Sequence, residues 1–226
     1  GGTADKSYGH LSLSESPRRA WSVGVAGSSN KRRLAAAPVV GGGKLFVMDT
    51  GGQVSAFDAA SGARSWQRSF NVSGRTAGSL FGGGASYDDG KVFITTGLGE
   101  VAALDAATGN QLWTAKPAGP LRGSPTVAFG AVYVMTMDNR IHALNSADGK
   151  PLWNESGSSG QTGVFGVAAP AAGSGTVIAG YSTGEIAAYR YENGRTLWSD
   201  ALARTSISTQ VGVLTDVDAD PIIDAG

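Results

Sequence analysis

Residues 103–113 read ALDAATGNQLW, and the same frame returns without a gap at 56–66 (AFDAASGARSW), 143–153 (ALNSADGKPLW) and 188–198 (AYRYENGRTLW). Each copy opens on an alanine (Ala56, Ala103, Ala143, Ala188), then places a glycine (Gly62, Gly109, Gly149, Gly194) and a tryptophan (Trp66, Trp113, Trp153, Trp198) at fixed distances from it. A fifth tryptophan, Trp21, lies in RRAWSVGV, and successive tryptophans stand 45, 47, 40 and 45 residues apart. Self-similarity at a period of about 40 to 45 residues is the signature of a repeat built from four-stranded blades.

Working outward, each copy is preceded by a segment of hairpin length: KLFVMDTGGQVSAF, KVFITTGLGEVAAL, AVYVMTMDNRIHAL and TVIAGYSTGEIAAY. Apolar and aromatic runs flank Gly52, Gly99, Asn139 or Gly184, residue types that accept the positive φ of a tight hairpin turn. A further short strand comes before three of these hairpins, as APVVGGG, SPTVAFG and AAPAAGSG, and the pattern returns as DPIIDAG at 220–226. Each unit therefore reads as strand a, strand b, turn, strand c, glycine turn, strand d. Repeated four-stranded antiparallel sheets of this size bury their faces by packing radially around an axis.

The predicted fold is an all-β propeller of four-stranded antiparallel blades, with about four blades present of an expected eight. Residues 1–226 form a single incomplete propeller, with a lead-in strand near 18–25, blades at about 36–69, 84–116, 124–156 and 168–201, and the start of a next blade at 218–226. The expectation is a truncated wheel whose open apolar blade face favours self-association. Trp21, Trp66, Trp113, Trp153 and Trp198 are read as structural docking residues wedged between neighbouring blades. Each would bury about 150 to 250 Å², worth roughly 4 to 6 kcal/mol as an upper figure.

Composition narrows the function classes. The 226 residues include 35 glycines, only 16% are charged, and the formal net charge is +0. A neutral chain lacks the electrostatic footprint of a nucleic-acid binder, and the runs Arg18-Arg19 and Lys31-Arg32-Arg33 read as solvated loop. Zero cysteines remove disulfides, thiolate nucleophiles and cysteine-based zinc sites from this sequence. No stretch approaches the roughly 18 to 20 apolar residues of a membrane span, and GGTADKSYGH does not read as a signal peptide.

Catalytic chemistry has little to work with. His10 lies in the leading segment, and His142 sits in strand c where the other copies carry Ser55, Ala102 and Ala187; it is expected to be a satisfied or partly exposed strand histidine. No Ser/His/Asp arrangement, zincin spacing or P-loop is legible, and the triplets Gly41–Gly43 and Gly82–Gly84 read as turns. Asp216, Asp218 and Asp220 alternate, but the glycine and distant glutamate of a calcium loop do not follow. Contact with a protein partner is the preferred reading of these aspartates. The loops at about 70–84, 155–167 and 199–218 share one face and carry exposed apolar candidates in Phe81, Val164, Phe165 and Leu214. No catalytic residue, cofactor or metal is assigned.

The motif Ala-x-Asp-x-x-Thr/Ser-Gly-x-x-x-Trp, clearest at AFDAASGARSW and ALDAATGNQLW, resembles the PQQ-like repeat family. Within it, GVFGVAAPAAGSGTVIAGYSTGEIAAY, LTDVDADPII and the opening LSLSESPRRAWSVGVAG are similar to the BamB family of outer-membrane β-barrel assembly lipoproteins. That resemblance implies a non-catalytic periplasmic scaffold, associated with the outer membrane through a lipid anchor missing from this sequence. It implies binding to the barrel-forming subunit BamA, and contact with unfolded outer-membrane proteins. Carried over residue by residue, it places partner contacts at Asp216 and Asp218 and in the loop holding Thr162, Val164 and Phe165. An arginine of the family pattern is replaced there by Phe165. Two other readings stay open: a fragment of a PQQ-dependent dehydrogenase, and a ligand-sensing propeller.

Overall fold

The computed structural model describes residues 3–6, 16, 18–25, 37–49, 51–70, 83–157, 168–201 and 219–224. Among these residues every regular element is a strand, and the strands form four separate four-stranded antiparallel sheets. The first blade is β1 (Val39–Gly41), β2 (Lys44–Met48), β3 (Gln53–Asp58) and β4 (Arg64–Ser69). The second is β5 (Gly83–Asp88), β6 (Lys91–Thr96), β7 (Val101–Asp105) and β8 (Gln111–Ala115). The third is β9 (Leu121–Ala128), β10 (Ala131–Thr136), β11 (Arg140–Asn145) and β12 (Pro151–Ser156). The fourth is β13 (Ala171–Gly173), β14 (Thr176–Gly180), β15 (Glu185–Arg190) and β16 (Thr196–Ala201). Strands follow one another in sheet order, so each blade is a meander and the fold is the all-β propeller that the repeat predicts.

Burial follows from that stacking. In the second and third blades the middle strands have a sheet on both faces, so they carry Val, Ile, Phe and Tyr with little polar alternation; all six residues of β10 are buried. The core is three inter-blade layers. Phe46, Val54 and Ala56 pack on Ala85, Ile94 and Leu104; Phe93, Val101 and Trp113 pack with Leu121, Val132 and Leu144; Tyr133, Ile141 and Trp153 pack with Val177, Tyr181 and Tyr189. The outermost strands have one partner strand and are mostly exposed.

Near the axis, hydroxyl groups join neighbouring inner strands. Ser86 Oγ donates to the Pro125 carbonyl, Thr126 Oγ1 to the Pro170 carbonyl at 2.5 Å, and Thr95 Oγ1 to the Gly123 carbonyl at 2.8 Å. Proline has no amide to offer a ladder, but its carbonyl is a free acceptor, and a buried hydroxyl must find one.

The turn between the third and fourth strands is built the same way in the first two blades. Asp105 Oδ1 accepts from the Thr108 amide and hydroxyl, both at 2.7 Å, and the Gly109 amide donates to the Asp105 carbonyl at 2.8 Å. Asp58, Ser61 and Gly62 repeat that pattern. Hydrogen bonds from the following hydroxyl and amide hold both carboxyls below the usual range. In the third blade Asn145 retains the amide contact to Ala147, and in the fourth Arg190 offers no side-chain acceptor, yet Gly194 still donates to its carbonyl. The glycine φ of +73° to +74° recurs in all four.

Candidate functional site

The tryptophans join each unit to the next. Trp66 is in register with Ala56 of its own blade, lies against Gly109 of the second blade and donates its indole Nε1–H to the Ala106 carbonyl at 2.9 Å. Trp113 meets Gly149 and donates to the Ser146 carbonyl at 3.1 Å; Trp153 meets Gly194 and donates to the Tyr191 carbonyl at 2.8 Å. Trp21 does the same at Gly62, with its Nε1–H on the Ala59 carbonyl at 3.0 Å. A methyl group on any of these glycines would stand 2.5 to 2.7 Å from an indole carbon. Only glycine combines that clearance with the positive φ. Trp198 differs, being 47% exposed where Trp113 and Trp153 are 9%.

Hairpin turns join the second and third strands of each blade, and that of the second blade lies against the connection 116–120 at Gly119. Gly52, Gly99, Asn139 and Gly184 occupy them with φ between +60° and +85°. Asn139 is the non-glycine member and is buried: its Oδ1 accepts from the Ser182 hydroxyl at 2.7 Å and the Ser182 amide at 3.2 Å, bracing the third-blade turn against the fourth. Asp49 caps its own turn, accepting from the amides of Gly51 and Gln53 at 2.8 and 2.9 Å. Side-chain oxygens of Asp49 and Asn139 thus hold two of these turns, the second of them to the neighbouring blade.

The sequence-predicted contact residues Thr162, Val164, Phe165, Asp216 and Asp218 lie outside the described residues, as do Phe81, Leu214 and His10. Of the alternating aspartates, Asp220 is described. Its Oδ1 accepts from the Ala169 amide at 2.7 Å, and its Oδ2 lies 3.7 Å from Lys6 Nζ. Lys6 itself is only 4% exposed. Burial pulls its ammonium below the usual lysine range, and the charge of Asp220 opposes that pull. Nothing in the local sequence around Lys6 marks it as buried; the signal lies in its pairing with a residue more than two hundred positions away.

Further buried side chains with polar atoms lie in the third and fourth blades. His142 is a buried strand residue, and it departs from the expected satisfied histidine in that its Nε2 has no hydrogen-bond partner among the described residues. Desolvation holds its imidazole below the ordinary value, with Asp138 opposing and Arg140 reinforcing the shift. Tyr181 and Tyr189 share a 2.7 Å hydroxyl–hydroxyl bond, and burial pushes both phenols up. Among the described residues no group of three or more His, Asp or Glu side chains is placed to hold a metal ion. No described helix is long and apolar enough to cross a membrane.

Comparison with known proteins adds an independent line. BamB of Shewanella oneidensis is 30% identical over 213 residues, 92% of this chain and 54% of that protein. BamB of Moranella endobia is 25% identical over 213 residues, 92% of this chain and 55% of that protein. The chain therefore spans about half the length of these relatives. Among solved structures, BamB of Moraxella catarrhalis superposes with a TM-score of 0.71 at 23% identity, covering 85% of this chain and 56% of that one. The quinohemoprotein alcohol dehydrogenase of Comamonas testosteroni gives 0.63 at 20% identity, over 75% of this chain and 35% of that one, a likeness of fold. The sequence family described as outer membrane protein assembly factor BamB matches at residues 3–80 and again at 52–226. Because the second match alone spans well over half of the sequence, the chain belongs to that family.

Proposed function

We propose that this chain works in outer-membrane protein assembly as a non-catalytic periplasmic scaffold, associated with the outer membrane and docking on a BamA-like barrel-forming subunit. The observation that carries the proposal is the family match across residues 3–80 and 52–226. A supporting one is the character of the described residues, where side-chain polar groups brace turns and join blades. A repeat scaffold of this kind holds its loops at fixed spacing, which suits a surface that a partner recognises.

Within this proposal Asp216 and Asp218 supply acidic contacts, and Thr162, Val164 and Phe165 supply a neighbouring apolar patch. Phe165 is the natural anchor, since aromatic side chains dominate interface energies when they fill a partner's pocket. The test is capture from detergent-solubilised outer membranes by the full-length protein, wild type beside Asp216→Arg/Asp218→Arg. Recovery of the barrel-forming subunit by wild type and its loss in the variant is the expected result. Recovery by both would discard the site, and recovery by neither would discard the function.

The fold likeness to a quinohemoprotein dehydrogenase favours one second reading, a piece of a quinone-dependent enzyme. Titration with the quinone followed by absorbance separates the two, because the scaffold takes up none stoichiometrically.

A further inference from the structure

Residues 3–6 form a tight turn, closed by the Lys6 amide donating to the Thr3 carbonyl at 3.1 Å. Its two central carbonyls serve two different stretches of chain. The Ala4 carbonyl accepts from the Ala172 amide of β13 at 2.7 Å, and the Asp5 carbonyl accepts from the Ile223 amide at 2.8 Å. Ala4 also packs against the apolar layer between the third and fourth blades. All three stretches converge at Gly173, where an added Cβ would stand 3.2 Å from Asp5 Cβ and 3.6 Å from Ile223 Cβ.

One carboxylate completes the junction. Asp220 reaches Lys6 Nζ at 3.7 Å through one oxygen and takes the Ala169 amide at 2.7 Å through the other, so it touches both the turn and the entry to β13. Lys6 adopts φ of +61°, a left-handed conformation that a lysine keeps only where its surroundings hold it there. Its ammonium is almost fully enclosed, while the Asp220 side chain is 42% exposed. Enclosure of the longer, more flexible partner makes the lysine the member that is fixed in place.

We propose that residues 3–6 are a strap that fastens residues 219–224 to the inner edge of the fourth blade, with Lys6 as its locking side chain. The turn supplies the two carbonyls that β13 and Ile223 need on that edge, and the Lys6–Asp220 pair keeps the turn seated. An inner strand edge is thereby paired from within the same chain, instead of presenting free amides to another protein. This goes beyond the partner-binding reading and does not depend on it.

Engineered disulfides in the full-length protein test the strap, and the sequence has no cysteine of its own to compete. Disulfide bonds need Cβ atoms about 3.5 to 4.5 Å apart; Gly173→Cys/Ile223→Cys starts within that range at 3.6 Å and reports whether 219–224 is in place, while Asp5→Cys/Gly173→Cys, at 3.2 Å, closes after a backbone adjustment of a few tenths of an ångström and reports the turn itself. Both pairs are expected to close under mild oxidation. Closure of the first pair is expected to slow by about tenfold or more when Lys6→Met is added, as local opening becomes frequent. Tryptophan fluorescence and far-ultraviolet dichroism should stay unchanged, because the four blades do not rest on the strap. Asp220→Asn keeps an acceptor for Ala169 and removes only the charge, and it should produce the same slowing. Equal closure rates with and without these substitutions would overturn Lys6 as the lock, and failure of the Asp5/Gly173 pair to close would overturn the strap.

Discussion

Gly109 and Gly130 hold nearly the same backbone conformation, with φ of +73° and +71°, and differ in what a methyl group would meet. At Gly109 it would stand 2.6 Å from a ring carbon of Trp66; at Gly130 there is nothing within 4 Å. Gly130→Ala therefore carries only the left-handed backbone penalty, about 1 to 2 kcal/mol. Gly109→Ala adds the displacement of a packed indole, about 1 to 3 kcal/mol more. Urea denaturation of the two variants measures the difference, and equal losses would mean that the tryptophan seat contributes nothing beyond backbone conformation. A second residue-scale expectation concerns pH. Burial depresses the imidazole pKa of His142 in the folded state, so below its ordinary value of 6.5 the unfolded chain binds the extra proton. Stability is full above that value, falls as the pH drops through it and levels off below the folded-state value. The urea midpoint should decline between about pH 7 and pH 5, and His142→Ala, the residue found at the matching positions 102 and 187, should flatten that decline. The tryptophan and glycine of each repeat were legible because one packing event, used several times, fixes their spacing. His142 was placed in its strand by the same alignment, but its burial depends on the neighbouring blade, which no local pattern encodes.

Between strands, the repeated feature is a bulge. The ladder joining the third and fourth strands slips at one place in every blade, between Ala56 and Phe57, Ala103 and Leu104, Ala143 and Leu144, and Ala188 and Tyr189. In the second blade Ala103 faces Trp113 and Leu104 faces Gln111, which leaves Leu112 unpaired. Leu112, Leu152 and Leu197 stand at this position, 49%, 50% and 45% exposed. A bulge lets two adjacent large residues follow one another without both entering the core, and it aims the tryptophan at the next blade. Leu112→Gln should thus shift stability by no more than about 0.5 kcal/mol, as an exposed substitution does. Leu104→Gln, at a fully buried position one ladder step away, should cost about 3 kcal/mol or more by enclosing an unpaired amide. Thermal or urea unfolding of the pair decides it, and similar losses would show that the leucine row is covered by something in solution. The meander of four strands was readable from runs and turn glycines. The bulge was not, because a tryptophan preceded by a leucine fits an ordinary strand equally well until the partner strand supplies the register.

At the scale of the molecule, the four tryptophans seated on a following unit contrast with Trp198. Trp21, Trp66, Trp113 and Trp153 each close a contact made of a glycine and a backbone carbonyl, so cohesion passes from one blade to the next as a chain of nearest-neighbour interfaces. In such an assembly a tryptophan stabilises through the following unit as well as through an aromatic of its own blade, as Trp113 does with Phe93. Trp113→Ala empties a packed inter-blade layer and should cost about 3 to 5 kcal/mol. Trp198→Ala within residues 1–226 removes a side chain that is already 47% exposed and should cost less than about 1 kcal/mol. Fluorescence gives the companion measurement. Acrylamide should quench a solvent-accessible component of the wild-type emission, and Trp198→Phe should remove most of it while Trp113→Phe leaves it in place. The comparison also bears on assembly, since the chain covers about half the length of its relatives, 54% and 55% of the two compared. Any further repeat that offers a glycine with positive φ and a carbonyl 2.8 to 3.1 Å from the indole nitrogen would give Trp198 the seat its four counterparts have. In a longer chain carrying such a repeat, the quenchable component should disappear and the cost of Trp198→Ala should rise toward that of Trp113→Ala. If the exposed emission and the small cost persist there, blade-to-blade docking through tryptophan stops at the fourth unit, and the surface around Trp198 is held by some other contact.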